Sequence, residues 1–398
     1  MLTDLATGIA EHFRVTVVTS RKLYNDPSAQ LTKHDEYQGV NIVRLNTTRL
    51  GRTHLWRRVF DYLSFSSHVL VFLLAHIREG DLVVLNTDPP LLSLLNTTAV
   101  RLRGGQVVNW IHDVFPEIAV QLGVFPSNRV FSAPLIWWRN RTLRAAKVNV
   151  VISRKMQELF VQQGIANTRY IPNWSDGEQI QPMRHADNPM RAEWNPENRF
   201  LVGYSGNFGR AHSFDELVEA MVLLKDRKDI GFVLVGEGVA LQFVRDAVDR
   251  MRLTNVCFKP YQESQSLSSA LGAIDLHLVS LKAGMEGLLL PSKLYGAMAA
   301  GRPIAFVGDT GGEIAQLVLK HDFGIVTALG DGAGLAQHIR SLAQDGPRRE
   351  AFQQRARAVF ERAFSRCRSA DQWLQLLRVL PSDAADSAYK ANSRSAEG

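Results

Sequence analysis

The sequence predicts an α/β protein made of two doubly wound halves, each a parallel sheet with helices on both faces. Three observations predict it. Short apolar runs of strand length alternate with longer stretches of helical periodicity. That rhythm breaks once, in a stretch at 171–198 that carries four prolines and many polar residues, and then restarts. At 398 residues the chain is also too long for one ordinary core.

Residues 2–12 have helical spacing and precede a buried strand at 15–19. A second strand follows at 40–45, then a long helix at 55–77 and a short strand at 82–85. Next come a helix at 91–103, a strand at 106–111, a strand at 148–152 and a helix at 154–163. Beyond the break, strands at 200–204, 232–235, 256–258, 276–279 and 304–307 alternate with helices at 214–225, 239–251 and 264–273, and with one opening at Lys293. Such alternation makes parallel sheets, whose ligands sit at the carboxyl ends of strands. His112 and Asp113 stand at one such end. The expected domains are 1–170 and 199–365, joined by a linker at 171–198 and followed by a helix at 366–380. Residues 381–398, rich in Ser, Ala and Asp, read as a disordered tail.

The composition, 45% hydrophobic and 21% charged, is that of an ordinary globular protein. Cys257 and Cys367 lie far apart and outside ligand spacing, which excludes a disulfide framework or zinc site and fits a reducing compartment. The first residues show no signal-peptide pattern, and the longest apolar run, 69–75, is too short to cross a bilayer. The formal charge of +7 is concentrated: residues 49–155 hold 14 Lys and Arg against 6 Asp and Glu. An anionic partner follows, either a membrane surface, a diphosphate or nucleic acid. Trp56, Phe60, Tyr62, Phe65, Phe72, Trp137 and Trp138 are interleaved with these charges, as suits a lipid headgroup region, although most of these rings are expected in the core. Arg49, Arg52, Arg57 and Arg58 are the candidate membrane contacts.

Three stretches carry chemistry. Residues 284–301 read GMEGLLLPSKLYGAMAAG, where Pro291-Ser292-Lys293 opens a helix. Backbone N–H groups at a helix start, beside a serine and a lysine, suit a phosphate or diphosphate. Strand 201–204 runs into Ser205-Gly206-Asn207-Phe208-Gly209-Arg210, where glycines let amides approach an anion. Gly203, Gly206 and Gly209 do not have the G-x-G-x-x-G spacing, which argues against a nicotinamide dehydrogenase. The strand at 232–235 delivers Glu237 between two glycines.

This ordered set resembles the retaining, family-four glycosyltransferases of GT-B architecture, two Rossmann-like domains facing a cleft. Leu2-Thr-Asp-Leu-Ala resembles the family's first helix, Thr87-Asp-Pro-Pro its acceptor-domain loop, and His112-Asp-Val-Phe-Pro-Glu117 its HD-x-x-PE segment. Ile171-Pro-Asn-Trp-Ser-Asp176 is similar to the interdomain motif, and Tyr204–Gly209, Pro291–Tyr295 and Ala300–Pro303 complete the match. The likeness is greatest to the branch building bacterial exopolysaccharide, O-antigen or colanic-acid repeat units. Two departures stand out. Of the family's two glutamates, the second position holds Gly296, and the first is met only by Glu286, two residues early. The usual diphosphate-binding Arg and Lys are out of register, with Arg210, Lys282 and Lys293 as substitutes.

The resemblance implies sugar transfer with retention from a nucleotide-sugar donor to a lipid-linked (polyprenyl diphosphate) saccharide, at the inner face of the plasma membrane. No metal, cofactor or nucleic acid is expected. It implies catalytic roles for His112, Asp113 and Glu286. Donor contacts would come from Gly206, Asn207, Phe208, Gly209, Arg210, Glu237, Tyr261, Lys282, Ser292, Lys293 and Leu294. A sugar-nucleotide epimerase of the same fold would release its product without an acceptor, and a non-catalytic membrane scaffold would need no glycine turns. Family members place a strand and a Gly-rich loop before the first helix. The expectation is therefore that the first strand of the N-terminal domain is missing, so that either the natural gene starts upstream or the chain is a damaged, poorly active form.

Overall fold

The computed structural model describes residues 1–22, 31–48, 50, 55–90, 92–126, 128–195 and 197–380. They form two compact units, Met1–Ile171 with the chain from Ala370, and Pro172–Ser369.

In the first unit, strands β1 (Thr16–Ser20), β2 (His34–Tyr37) and β3 (Val40–Leu45) pair in the order β1-β3-β2. β1 runs parallel to β3, whereas β2 turns back on β3 as an antiparallel hairpin through Gln38 and Gly39, both in the left-handed region. β2 escaped prediction because all four of its residues are exposed and it has no apolar alternation. A separate parallel ladder joins β4 (Leu82–Asn86), β5 (Gln106–Ile111), β6 (Val148–Val151) and β7 (Thr168–Tyr170) in chain order. Among the described residues β1 pairs only with β3, and β4 only with β5.

β5 and β6 are buried along their whole length. Asn109 and Asn149 stand opposite one another on these strands: Asn109 Nδ2 donates to Asn149 Oδ1 at 2.8 Å, and Asn149 Nδ2 donates to the Leu143 carbonyl. Trp110 of β5 is 1% exposed and meets Trp373 edge-on at 5.2 Å. Trp373 belongs to the helix Arg366–Val379, whose residues from Ala370 return to the first unit rather than standing apart from both domains.

The helix Leu55–His76 corrects one expectation. Its uninterrupted apolar run is short, yet Arg57–His76 as a whole is long and apolar enough to cross a membrane by length and composition. Its inner face is nevertheless core: Val69 and Leu73 pack with Leu85, Val100 and Val107. Its outer face is exposed and apolar, as are Trp137 and Trp138, so several rings expected inside stand on the surface.

The second unit is one six-stranded parallel sheet. Its strands are β8 (Phe200–Ser205), β9 (Ile230–Val235), β10 (Val256–Lys259), β11 (Leu276–Ser280), β12 (Ile304–Gly308) and β13 (Gly324–Ala328). The order β10-β9-β8-β11-β12-β13 reverses between β8 and β11, which leaves a crevice at their carboxyl ends. The expected linker at 171–198 packs within this unit instead, with Trp174, Ile180 and Trp194 buried. Arg191 in its helix Pro189–Trp194 donates to Asp275 Oδ2 (2.6 Å), to the Ala273 carbonyl (2.8 Å) and to the Arg199 carbonyl (2.6 Å). Asp275 also accepts from Leu201 N (2.7 Å), so a buried ion pair ties this segment to β8 and the approach to β11.

Two glycine turns after β8 and β9 pack backbone to backbone. Gly206, Gly236 and Gly238 have φ of +141°, +127° and +145°, a region open essentially to glycine alone. A Cβ on Gly236 would also collide with the Gly206 carbonyl. Gly236→Ala is expected to lose on the order of 3 kcal/mol, because backbone strain and a backbone clash add. Gly330→Ala, at φ +81° with nothing within 4 Å, is expected to lose about 1 kcal/mol. Urea unfolding of both variants checks the contrast.

Candidate active site

The crevice of the second unit is a cavity of about 480 Å³. Its walls come from Ser205 at the end of β8, from Gly206, Asn207 and His212 after it, from Val235 and Val279 at the ends of β9 and β11, from Tyr261 and Gln262, and from residues 289–293. Of the predicted donor contacts, Gly206, Asn207, Tyr261, Ser292 and Lys293 meet here. His212 joins them unpredicted.

Lys293 opens a seven-residue helix, Lys293–Ala299, and extends its side chain along the wall. Its Nζ lies 2.7 Å from Tyr204 Oη, 2.9 Å from His212 Nε2 and 4.4 Å from the centroid of the Tyr204 ring. A Cβ on Gly206 would come within 3.2 Å of Lys293 Cε, so this glycine keeps the path of the side chain open. Burial pushes the Lys293 amine down to about 7. Burial, reinforced by the charge of Lys293, holds the His212 imidazole down to about 4, and burial raises the Tyr204 phenol.

Several expected contacts lie elsewhere. Phe208 is fully buried against Tyr204 and Phe214, at ring distances of 4.5 and 5.0 Å, and Leu294 is 1% exposed, so both are core. The amides of Gly206 and Phe208 are occupied by the carbonyls of Val235 (3.0 Å) and Glu237 (2.8 Å), which removes two donors expected to meet an anion. Gly209, Arg210, Glu237 and Lys282 do not line the cavity, and Arg210, Glu237 and Lys282 are exposed. Glu286 is turned away to the start of the helix Glu313–His321, where its Oε2 accepts from Glu313 N at 3.4 Å and its Oε1 fills the space a Cβ on Gly312 would need.

In the first unit His112 and Asp113 stand at the carboxyl end of β5 as expected. The His112 amide donates to Thr87 Oγ1 (3.0 Å), its ring tilts against Trp110 at 4.7 Å, and burial holds the imidazole down to about 4. Asp113 edges a small cavity of about 30 Å³, room for about one water, beside Thr87 and Arg139. Crowding by the protein, and then the charge of Asp88, push its carboxyl up to about 6. Arg57 and Arg58 begin the helix Leu55–His76, whereas Arg49, Arg52 and the expected tail at 381–398 lie outside the described residues.

Residues 1–174 match the family model described as a glycosyl transferase 4-like domain, and residues 187–359 match that of glycosyl transferases group 1. The chain is a glycosyltransferase of the GT-B fold. The glycosyltransferase is similar to WbjE of Pseudomonas aeruginosa, described as a probable glycosyltransferase, with 29% identity over 76% of this chain and 74% of that one. It is 32% identical, over 42% of each chain, to WcaI of Escherichia coli K12, described as a putative colanic acid biosynthesis glycosyl transferase. Its fold is similar to that of Anabaena HepE, solved in complex with UDP and glucose, with a TM-score of 0.71, 17% identity and 95% of each chain covered.

The Lys293 amine should lose its proton as pH rises through about 7. Between that pH and the ordinary lysine value of 10.5 the unfolded chain binds the extra proton, so this group adds stability as pH rises through the window. After reductive methylation with ¹³C-formaldehyde, one lysine resonance of the glycosyltransferase should titrate near pH 7 and be missing from Lys293→Arg. A full set of resonances titrating near the ordinary value would contradict the burial.

Proposed function

We propose that this glycosyltransferase moves a sugar, with retention, from a nucleotide-sugar donor to a polyprenyl-diphosphate-linked saccharide in cell-surface polysaccharide synthesis. The observation that carries the reading is the cavity at the strand-order reversal, with the Lys293 amine on its wall. Breaking the glycosidic bond leaves charge on the departing diphosphate, and a fixed cation shielded from water acts strongly on it. Lys293 supplies that cation and Ser292 a hydroxyl beside it, while Tyr261 offers a ring to the nucleoside. In the first unit His112, held neutral by burial, orients the acceptor. The domain matches support sugar transfer, and the likeness to a colanic acid enzyme supports the polysaccharide setting.

A screen of nucleotide-sugars with a lipid-linked saccharide acceptor should release nucleoside diphosphate only when the acceptor is present. Lys293→Ala should lower turnover on the order of 10²-fold, the scale for removing one group that stabilises a transition state. Isomerised donor without acceptor would indicate an epimerase, and no turnover of any donor a scaffold.

The same reading places the protein at the cytoplasmic side of an anionic membrane. The outer stripe of the helix Leu55–His76 exposes Phe60, Leu63, Val71 and Leu74, and the helix Arg129–Ala145 exposes Trp137 and Trp138. Both helices pack against the helix Leu92–Leu102, and the segment carrying them is the basic one. Apolar side chains rimmed by arginines suit a headgroup interface. Each charge near an anionic leaflet contributes roughly 1 kcal/mol, so Arg57→Glu with Arg58→Glu should weaken binding to phosphatidylglycerol vesicles by about tenfold or more. High salt should weaken it as well. Equal binding to phosphatidylcholine and phosphatidylglycerol vesicles at low and high salt would exclude this surface.

A further inference from the structure

The hydrogen bonds around Lys293 have only one consistent direction. His212 Nδ1 lies 2.6 Å from the carbonyl of Ser280, the last residue of β11. A carbonyl only accepts, so Nδ1 carries the proton. The ring is neutral, held so by burial and by the nearby ammonium, and Nε2 is therefore bare. That bare nitrogen faces Lys293 Nζ at 2.9 Å and accepts from it. On the other side Tyr204 Oη gives its own proton to the Asn207 carbonyl at 2.7 Å. The phenol oxygen is then an acceptor too, and takes a second ammonium proton at 2.7 Å. Both acceptors are fixed in turn by backbone: one at the end of β11, the other in the turn after β8.

An ammonium has three N–H groups. Two are committed to neutral acceptors, and among the described residues no further acceptor within hydrogen-bonding distance takes the third. Neutral acceptors satisfy geometry without cancelling charge, which a carboxylate would do.

We propose that His212 is a positioning residue: through its Nδ1-protonated tautomer it holds the Lys293 ammonium against the cavity with one N–H free for a phosphate oxygen of the donor's diphosphate. This rests on the function proposed above and assigns a role to a residue outside the predicted site. His212 touches the amine rather than the reacting sugar, and acts through it. A protonated or Nε2–H ring would turn a donor toward the ammonium and push it off the wall.

The test titrates the full chain calorimetrically with UDP, GDP, ADP and dTDP, and carries forward whichever binds together with its parent nucleoside. His212→Leu removes the acceptor and should weaken the nucleoside diphosphate by about tenfold, the worth of one charge-assisted hydrogen bond, with the nucleoside unchanged. His212→Gln, whose amide can donate to the Ser280 carbonyl and accept from the amine, should recover most of the loss. Unchanged diphosphate affinity in His212→Leu overturns the proposal, and so does an equal loss for nucleoside and diphosphate that Gln does not repair. Where His212→Leu fails to fold, ¹⁵N imidazole shifts of the wild-type protein decide: a protonated Nδ1 with a bare Nε2 supports the assignment, and a protonated Nε2 ends it. A wild type that binds none of the four nucleoside diphosphates removes the function reading itself, a result distinct from any change between variants.

Discussion

The site depends on two turns whose backbones touch. Gly206 after β8 and Gly236 after β9 approach so closely that only hydrogen fits between the carbonyl of one and the α-carbon of the other, and Gly238 stands in the same relation to Asn207 and Phe208. The contact is sealed by the amides of Gly206 and Phe208, which donate across it to Val235 and Glu237. One consequence is geometric: the missing Cβ at Gly206 leaves a path for the side chain of Lys293. The other is chemical. The amides of Gly206 and Phe208 that close the turns are not available to a ligand.

Two cations of the second unit, Arg191 and Lys293, have opposite roles. Arg191 is neutralised by Asp275: that carboxylate and two carbonyls take the protons of its two terminal nitrogens, and its work is to fasten a segment to the sheet. Removing one partner of such a pair would strand the other at a cost of about 3–5 kcal/mol, which is why it is fully enclosed. Lys293 has only a phenol oxygen and an imidazole nitrogen. Burial without a counter-charge disfavours its ammonium, and its fall to about 7 expresses that penalty. An anionic ligand would supply the missing charge.

Much of the fold was legible because strands such as β8 and β9 are mainly apolar runs with a glycine turn after them, and burial on both faces of a parallel sheet demands apolar residues along the whole strand. The Pro-Ser-Lys stretch was legible for a related reason, since its residues mark both a helix start and a charge. Side-chain direction was not legible. Phe208 and Leu294 sit beside true cavity residues in sequence and point into the core, whereas Glu286 turns to the start of a helix 27 residues on. His212 and the phenol of Tyr204 gain their roles only from Ser280, Asn207 and Lys293, contacts that span up to 89 residues. The prolines at 171–198 read as a linker because proline breaks regular structure, yet Trp174 is buried outside any helix or strand and Trp194 ends a helix that Pro189 itself opens.

The helix Leu55–His76 shows how composition and structure diverge. A helix apolar on every side belongs in a core or in lipid, and by composition alone this one qualifies as spanning. Spanning would require Val69 and Leu73 to leave Leu85, Val100 and Val107, opening the layer that covers the β4–β7 ladder. Each such side chain withdrawn from a core loses about 2–5 kcal/mol, more than its transfer into hydrocarbon restores once the cavity left behind is counted. The outer stripe of Phe60, Leu63, Val71 and Leu74 makes no such demand, because it can enter a headgroup layer while the inner face stays in place. The inner face of this helix therefore belongs to the sheet it covers, while the outer stripe stays exposed.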